Sequence, residues 1–153
     1  MNVRLFHRKD IKEDSVDVYY RNMTPQVEKI VEIAKGNQAP LHIYGENEKE
    51  EKVLLKIEDV YYFESVDKRT YAYLMEEVYQ VQKSLLLLEG ELKVNGFIRI
   101  NKSNVVNIYK ITCIKPELNM RVKANLENGE YLFINRSYKG KFEAYLKQKR
   151  GAK

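Results

Sequence analysis

The alternation of apolar and polar positions predicts that the chain from residue 41 onward folds as a series of short β-strands. Short polar segments separate the apolar runs, as in successive hairpins. The clearest turn is Asn128-Gly129, because Asn-Gly readily adopts the positive φ angles of a two-residue hairpin turn. The predicted strands are Leu41–Tyr44, Val53–Ile57, Val60–Glu64, Thr70–Met75, Val78–Val81, Phe97–Ile100, Val105–Ile108, Ile111–Ile114, Met120–Leu126 and Tyr131–Ile134.

Two short helices interrupt or follow these strands. Ser84 is a suitable N-cap for a leucine-rich helix that continues to Leu92, and Asn95-Gly96 ends it. Phe142, Tyr145 and Leu146 lie on one face of a second, C-terminal helix. The predicted fold class is therefore mainly β, with antiparallel strands and short helices.

The first 40 residues predict a small ββα extension. Val3–Phe6 and Val16–Tyr20 alternate like half-buried strands, and Thr24-Pro25 offers an N-cap followed by proline in the first helical turn. Such a unit buries too little surface to be stable alone. We expect it to pack on the rest of the chain or to form a homodimer seam, and the sequence leaves both open. The helix stripe that would make either contact contains Val27, Ile30 and Val31.

Length and composition exclude several classes of protein. The chain has 153 residues, 44% of them apolar, and one cysteine, which cannot form an internal disulfide. This length supports a core without disulfides or structural metals. No apolar run reaches the roughly 20 residues that span a bilayer, and Met1–Asp10 lacks a signal-peptide centre. We therefore expect a soluble, cytoplasmic protein.

Charge is distributed unevenly along the chain. Residues 1–92 contain 13 Lys plus Arg and 18 Asp plus Glu, whereas residues 93–153 contain 14 and 4. A strongly basic half in a small chain indicates a polyanionic partner, most often nucleic acid.

Candidate catalytic and metal-binding residues are few and isolated. His7 and His42 lack the spacing of a metal or general-base site, and the apolar neighbours of Cys113 favour an inert thiol. The seven glycines form no phosphate-binding loop. The sequence therefore predicts no enzyme activity, no cofactor, no metal and no small-molecule substrate.

Three predicted loops concentrate hydrogen-bond donors. They are Val66–Thr70, Asn101–Asn104 and Asn135–Lys141, the last lying between the final strand and the final helix. Their Arg, Lys, Asn, Ser and Tyr side chains are the types that contact phosphates and base edges.

The chain resembles the LytTR family of bacterial DNA-binding domains over roughly residues 41–148. The specific part of the match is the F-x-R-x-x-x-S-x-x-V-N pattern of Phe97–Asn107. Ile57–Ser65 precedes it, and Leu126–Gly129 and Ile134–Tyr138 follow it in the same order as in the family.

The resemblance implies an elongated antiparallel β fold whose loops enter successive major grooves of duplex DNA, at paired direct repeats in promoters. It also implies a possible regulatory membrane protein as partner. Asn101 and Asn135 replace residues that are common at these positions in the family. The resemblance therefore predicts the DNA-docking surface of this chain better than it predicts which bases are preferred. The contact residues implied are Lys68, Arg69, Thr70, Asn101, Lys102, Asn135, Arg136 and Tyr138.

Some residues of the pattern have structural roles as an alternative to DNA contact. Phe97 is expected in the core, and Ser103 and Asn107 are suited to satisfying backbone groups. Arg99 either braces the loop through Glu64 or reaches a phosphate. Arg136 is the best candidate for base reading, because a guanidinium pairs bidentately with guanine.

The basic residues of this half predict a salt-dependent interaction. On the order of five to eight phosphate contacts would give log K a slope of about −0.9 per contact against log salt. The residues expected to contribute are Lys102, Lys110, Lys115, Arg136, Lys139 and Lys141.

The sequence as a whole predicts a stand-alone transcription regulator with its DNA-binding domain in residues 41–150. An RNA-binding module that stacks bases on its many tyrosines is one alternative. A protein-interaction adaptor that binds its partner through the N-terminal helix is another.

Overall fold

The computed structural model describes residues 1–36 and 42–150, which contain three α-helices and ten strands in two antiparallel sheets. The helices are α1 (Pro25–Ala34), α2 (Leu85–Leu92) and α3 (Arg136–Arg150). The strands are β1 (His42–Glu46), β2 (Lys52–Lys56), β3 (Tyr62–Val66), β4 (Arg69–Tyr73), β5 (Val78–Val81), β6 (Phe97–Arg99), β7 (Asn104–Asn107), β8 (Ile111–Pro116), β9 (Val122–Leu126) and β10 (Tyr131–Ile134). Within these ranges no helix has both the length and the apolar character needed to cross a membrane.

The ten strands predicted from residue 41 onward are confirmed, with ends that shift by no more than two residues; Leu41 itself lies outside the described residues. The larger sheet has the order β2-β1-β5-β4-β3-β7-β6, and the smaller sheet has the order β10-β9-β8. All their pairings are antiparallel.

Two hydrophobic cores share the central strands of the larger sheet. The first core packs α2 against one face of this sheet and includes Phe63 and Val105. The second core joins the opposite side to the smaller sheet and α3, and it includes Tyr62 and Val106. Successive residues of a strand point to opposite faces, so β3 and β7 contribute to both cores. This double burial holds rigid the strand ends from which the polar loops emerge.

The N-terminal helix is confirmed, but the two strands predicted before it are not. The structure assigns no strand to residues 1–24, and nearly all of their side chains are exposed. Their alternation is real, but a strand also needs a partner ladder to satisfy its backbone groups, and the described chain gives these residues none. The predicted domain boundary at residue 40 lies outside the described residues.

Helix α1 packs on α3 of the same chain. Thr24 Oγ1 accepts a hydrogen bond from the Val27 amide at 3.2 Å and so caps the helix. Val27 is buried, and Gln148 of α3 donates a hydrogen bond to Glu28 at 2.5 Å. Of the two roles left open for the stripe of α1, the structure shows packing on its own domain.

Candidate nucleic-acid interface

Three polar segments meet in a row at one end of the larger sheet. They are the β3–β4 turn, the loop between β6 and β7, and the junction between β10 and α3. We call their exposed parts, Asp67–Arg69, Lys102–Ser103 and Asn135–Arg136, the polar row. Backbone hydrogen bonds connect its neighbours: the Ser65 amide donates to the Ser103 carbonyl at 2.9 Å, and the Asn135 amide donates to the Ile100 carbonyl at 3.0 Å.

The first segment is a tight two-residue turn. Val66 pairs with Arg69, so only Asp67 and Lys68 lie outside the ladder, and both have positive φ angles of 49° and 65°. Positive φ at both central positions is the geometry of a type I′ hairpin turn. The turn projects the exposed side chains of Lys68 and Arg69 beyond the end of the sheet.

The same turn removes Thr70 from the surface. The sequence placed Thr70 both at the end of a polar loop and at the start of a strand; it lies in β4, on the same face as the core residue Ala72. Its side chain is buried, with a relative exposure of 7%. We therefore leave Thr70 out of the candidate contact residues.

Asn101 holds the shape of the second segment. Its amide nitrogen donates to Asn104 Oδ1 at 3.0 Å and to the Phe133 carbonyl at 2.9 Å. Its amide oxygen accepts from the Ser103 backbone amide at 2.8 Å. Both hydrogens of the amide are therefore used inside the protein. The side chains left exposed at the loop tip are Lys102 and Ser103.

Arg99 braces this loop, although not through the partner expected. Its guanidinium donates to the carbonyls of Asn101 at 3.3 Å and Lys102 at 2.6 Å, and it lies 4.0 Å from a carboxylate oxygen of Glu89. Of the two roles that the sequence left open for Arg99, loop bracing is therefore the one observed. These contacts make Arg99 a positioning residue for the exposed Lys102.

Glu64 connects the loop to the sheet and was not identified as a site residue from the sequence. It accepts hydrogen bonds from the Tyr73 hydroxyl at 3.1 Å and from Asn104 Nδ2 at 3.2 Å. Burial, together with the adjacent Glu64 carboxylate, raises the pKa of Tyr73 to about 12. The sequence signal that could have identified this role is a single carboxylate, Glu64, directly after the aromatic run Tyr61–Phe63.

Two other residues of the F-x-R pattern have structural contacts. Phe97 is buried in the first core, as expected. Asn107 is buried; its side chain donates to the Val60 carbonyl at 2.9 Å and accepts from the Tyr109 amide at 3.1 Å. Its expected structural role is thus confirmed. Ser103 uses its backbone groups, and its side chain is exposed.

The third segment is not the loop that the sequence predicted. Helix α3 begins at Arg136, nearly two turns earlier than the apolar stripe from Phe142 suggested. The reason is that Tyr138, four residues before Phe142, also packs against the second core and extends the stripe. Asn135 and Arg136 are exposed at the start of the helix, whereas Tyr138 and Lys139 are half-buried.

The exposed cations of the polar row are free of internal ion pairs. Among the described residues, no carboxylate oxygen lies within 4.0 Å of their charged groups. Lys110 differs, because it lies 3.9 Å from Glu127 and 5.0 Å from the centre of the Tyr61 ring. The described residues contain no group of three His, Cys, Asp or Glu side chains arranged to hold a metal. The unpaired cations are Lys68, Arg69, Lys102 and Arg136.

A rigid two-sheet scaffold that presents unpaired cations on a turn, a loop and a helix start defines a class of protein: a nucleic-acid-binding domain without a dedicated recognition helix. The comparisons with known proteins specify this class. The family of LytTr DNA-binding domains matches residues 50–147. The chain therefore belongs to the LytTR family of DNA-binding domains.

Individual relatives agree with this assignment. The chain is 28% identical over 130 residues to the sensory transduction protein LytT of Bacillus anthracis, which covers 84% of this chain and 53% of LytT. It is 26% identical over 138 residues to an uncharacterized HTH-type transcriptional regulator of Staphylococcus aureus, covering 90% of this chain and 92% of that protein. The chain thus spans about half the length of this LytT and nearly all of the staphylococcal regulator.

A solved structure has the same fold. It is the LytTr DNA-binding domain of a Bacillus cereus protein described as a methyl-accepting/DNA response regulator. The match has a TM-score of 0.66 at 26% identity and covers 70% of this chain and 97% of that domain. The expected mainly antiparallel LytTR-type fold with short helices is confirmed.

Proposed function

We propose that this chain is a sequence-specific transcription regulator that places its polar row on duplex DNA. One observation carries the proposal: hydrogen bonds fix the turn, the loop and the helix start in one row, and each segment presents an unpaired cation. Preorganised cations lose little side-chain and loop entropy on binding a polyanion. The segments would enter successive major grooves at paired direct repeats of a promoter.

The segments have different roles in this proposal. Lys68, Arg69 and Lys102 contact phosphates, which sets position and affinity but carries no sequence information. Arg136 reads a base, since its planar guanidinium matches the two acceptors of guanine in the major groove. Asn135 lies beside it, where its amide is free to pair with a base edge.

The start of α3 adds a further attraction for DNA. The first backbone amides of a helix have no partner inside the helix, and the helix dipole favours negative charge there. A phosphate beside Arg136 would meet the guanidinium and the first amides of α3, except that of Tyr138, which donates to the Asn135 carbonyl at 2.9 Å. Tyr138 and Lys139, half-buried one turn further on, support this end of the helix and contact at most the nearest phosphate.

The tyrosines of the central strands are not available to stack bases of single-stranded RNA. Stacking a base requires an exposed ring face, and Tyr61 and Tyr62 are buried, although Tyr44, Tyr109 and Tyr131 are exposed. The Tyr62 and Tyr73 rings also stack on each other, 4.4 Å apart and 9° from parallel. The adaptor alternative is weakened in the same way, because the apolar stripe of α1 packs on α3.

Two partner proposals concern the N-terminal segment. Residues 1–20 carry exposed apolar side chains, among them Leu5, Phe6 and Tyr19. We assign to this segment the homodimer contact that tandem repeats would require, and a regulatory membrane protein is the alternative occupant. Because bacterial promoters lie in the cytoplasm, the proposal places the protein there.

The function is tested by selecting duplex DNA from a random pool at about 150 mM salt, where non-specific phosphate binding is weakened. Wild type should enrich a repeated motif. Arg136→Ala should relax one position of that motif, at a cost of about 1–3 kcal/mol in discrimination. The matched control is Lys56→Ala, which removes one exposed positive charge from the edge strand β2, far along the sheet order from the row.

The outcomes separate the proposal from its alternatives. Loss of preference in Arg136→Ala with an unchanged motif in Lys56→Ala supports base reading by Arg136. If the wild type enriches no duplex motif but binds single-stranded RNA, the protein is an RNA-binding module and not a DNA-binding regulator.

A further inference from the structure

The solvent-facing side of the smaller sheet carries a second group of cations next to the polar row. In β9, Val122, Ala124 and Leu126 point into the second core, so Lys123 points outward. Lys115 of β8 and Phe133 of β10 pair directly with Lys123 across the two ladders. We call this side, with Lys115, Arg121, Lys123, Tyr131 and Phe133, the outer face.

Two of these cations lie over aromatic rings. The Lys123 ammonium lies 4.1 Å from the centre of the Tyr131 ring, and the Arg121 guanidinium carbon lies 4.5 Å from the centre of the Phe133 ring. The two rings meet edge to face with centroids 5.5 Å apart. Cation–π contacts of this kind restrict long side chains without neutralising their charge.

Among the described residues, no acidic group forms an ion pair with the cations of the outer face. Within residues 1–36 and 42–150, no carboxylate oxygen lies within 4.0 Å of Lys115, Arg121 or Lys123. Glu130 lies instead beside the Tyr62 hydroxyl; burial and then the hydrogen bond with Glu130 raise the pKa of that tyrosine. Glu117, which follows β8, lies opposite Arg121: its backbone amide donates to the Arg121 carbonyl at 2.9 Å, but its carboxylate forms no ion pair with the guanidinium.

The outer face begins where the polar row ends. The Phe133 carbonyl accepts the hydrogen bond from Asn101, and the Phe133 ring carries Arg121. Asn135 follows two residues later on the same chain. A polyanion seated on the polar row therefore reaches Arg121 and Lys123 if it extends beyond the third segment.

We propose that the outer face binds the phosphate backbone of duplex DNA flanking the bases read by the polar row. The proposal rests on the proposed function, which it extends to a longer footprint. Its charge matches phosphate. The cations also cover faces of the rings that base stacking would need, which favours a duplex backbone over an unpaired strand. This surface contributes affinity and no base preference.

The test uses the full chain with Arg121→Gln/Lys123→Gln, which keeps polar side chains at both positions and removes two charges. If both residues contact phosphates, the salt slope of log K should decrease in magnitude by about 1.8. Between 50 and 200 mM salt the variant should then lose roughly tenfold less affinity than wild type. The control, Lys52→Gln/Lys56→Gln on β2, removes the same charge from the opposite edge of the larger sheet.

Two further readouts keep the inference separate from the proposed function. The variant should select the same motif as wild type, and hydroxyl-radical footprinting should lose protection only beside the motif. An unchanged salt slope and footprint, with the motif still selected, would overturn the proposal that the outer face binds DNA and leave the proposed regulator function standing. Loss of single-stranded RNA binding in place of duplex binding would overturn it in favour of a stacking surface. Selection of no motif by wild type would overturn both.

Discussion

The side-chain amide of Asn101 makes three hydrogen bonds within the protein, although its residue type and position had suggested a base contact. We predict that Asn101→Ala lowers the free energy of unfolding by about 1–2 kcal/mol, since a partly buried carbonyl and amide lose their partner. DNA affinity should also fall, because the neighbouring Lys102 is no longer held in place. Urea denaturation and a DNA titration measure the two effects.

Lys102→Ala is the matched control for Asn101→Ala. Its side chain is exposed at the tip of the same loop, so its removal should weaken DNA binding and leave the free energy of unfolding unchanged. An Asn101→Ala protein as stable as wild type would return Asn101 to the group of direct DNA contacts.

The roles of single residues were only partly predictable from the sequence. The pattern Phe97–Asn107 indicated which segment forms the site, and it correctly separated the structural Asn107 from the exposed Lys102. It could not show that Asn101 bonds to the Phe133 carbonyl, because those residues are 32 positions apart. The partner of Arg99 was missed for a similar reason: backbone carbonyls leave no signature in side-chain types.

Among the elements, the β3–β4 hairpin contains a conflict between stability and binding. Asp67 and Lys68 adopt positive φ without being glycine, which costs on the order of 1 kcal/mol per residue. We predict that Lys68→Gly raises the free energy of unfolding by about 0.5–1 kcal/mol. The same change should weaken DNA binding and reduce the salt slope by about 0.9, because one phosphate contact is lost. Equilibrium unfolding measures the gain in stability, and DNA binding at several salt concentrations measures the loss of affinity and the change in salt slope.

Glu50→Gly is the control for this pair of opposite effects. Glu50 also has a positive φ, of 60°, but it lies in the β1–β2 turn away from the polar row. Its replacement should stabilise the protein without weakening DNA binding. If Lys68→Gly binds DNA as tightly as wild type, the β3–β4 turn does not belong to the interface.

The elements themselves were largely predictable, because strand alternation and helix caps are local signals. The ends of the loops were not. Asp67 is typical of a type I′ turn, but Lys68 stands where Gly is usual. The sequence therefore suggested a longer loop and placed Thr70 among the contact residues, whereas its side chain is buried. At α3, Tyr138 was read as part of a polar loop, although its ring belongs to the apolar stripe of the helix.

For the whole molecule, the main difference from expectation lies in residues 1–36, where the helix forms as predicted but the two strands do not. The alternating segments Val3–Phe6 and Val16–Tyr20 predicted strands, but their backbone lacks a partner strand within the described chain. Helix α1, in contrast, packs on α3, where Val27 is buried and Gln148 donates a hydrogen bond to Glu28. Deleting residues 1–40 would therefore remove both a packed helix and an exposed segment. A loss of stability and a loss of self-association could then not be told apart.

A deletion of residues 1–20 separates these two contributions. It leaves the Thr24 cap and α1 in place, so the thermal unfolding midpoint and the affinity for a single DNA site should remain those of wild type. If the exposed segment joins two protomers, binding to a DNA with two direct repeats should lose its cooperativity. The apparent affinity for that DNA should then fall on the order of a hundredfold, since the second protomer is no longer held near its site.

Titration of one-site and two-site DNA with wild type and the deletion measures this effect directly. Val27→Ala is the companion variant, because it truncates the buried side chain of α1. It should lower the free energy of unfolding by about 1–3 kcal/mol while the two-site cooperativity remains. Cooperativity that survives the deletion but is lost in Val27→Ala would place the protomer contact on α1, and would mean that the exposed apolar residues before it serve a different partner.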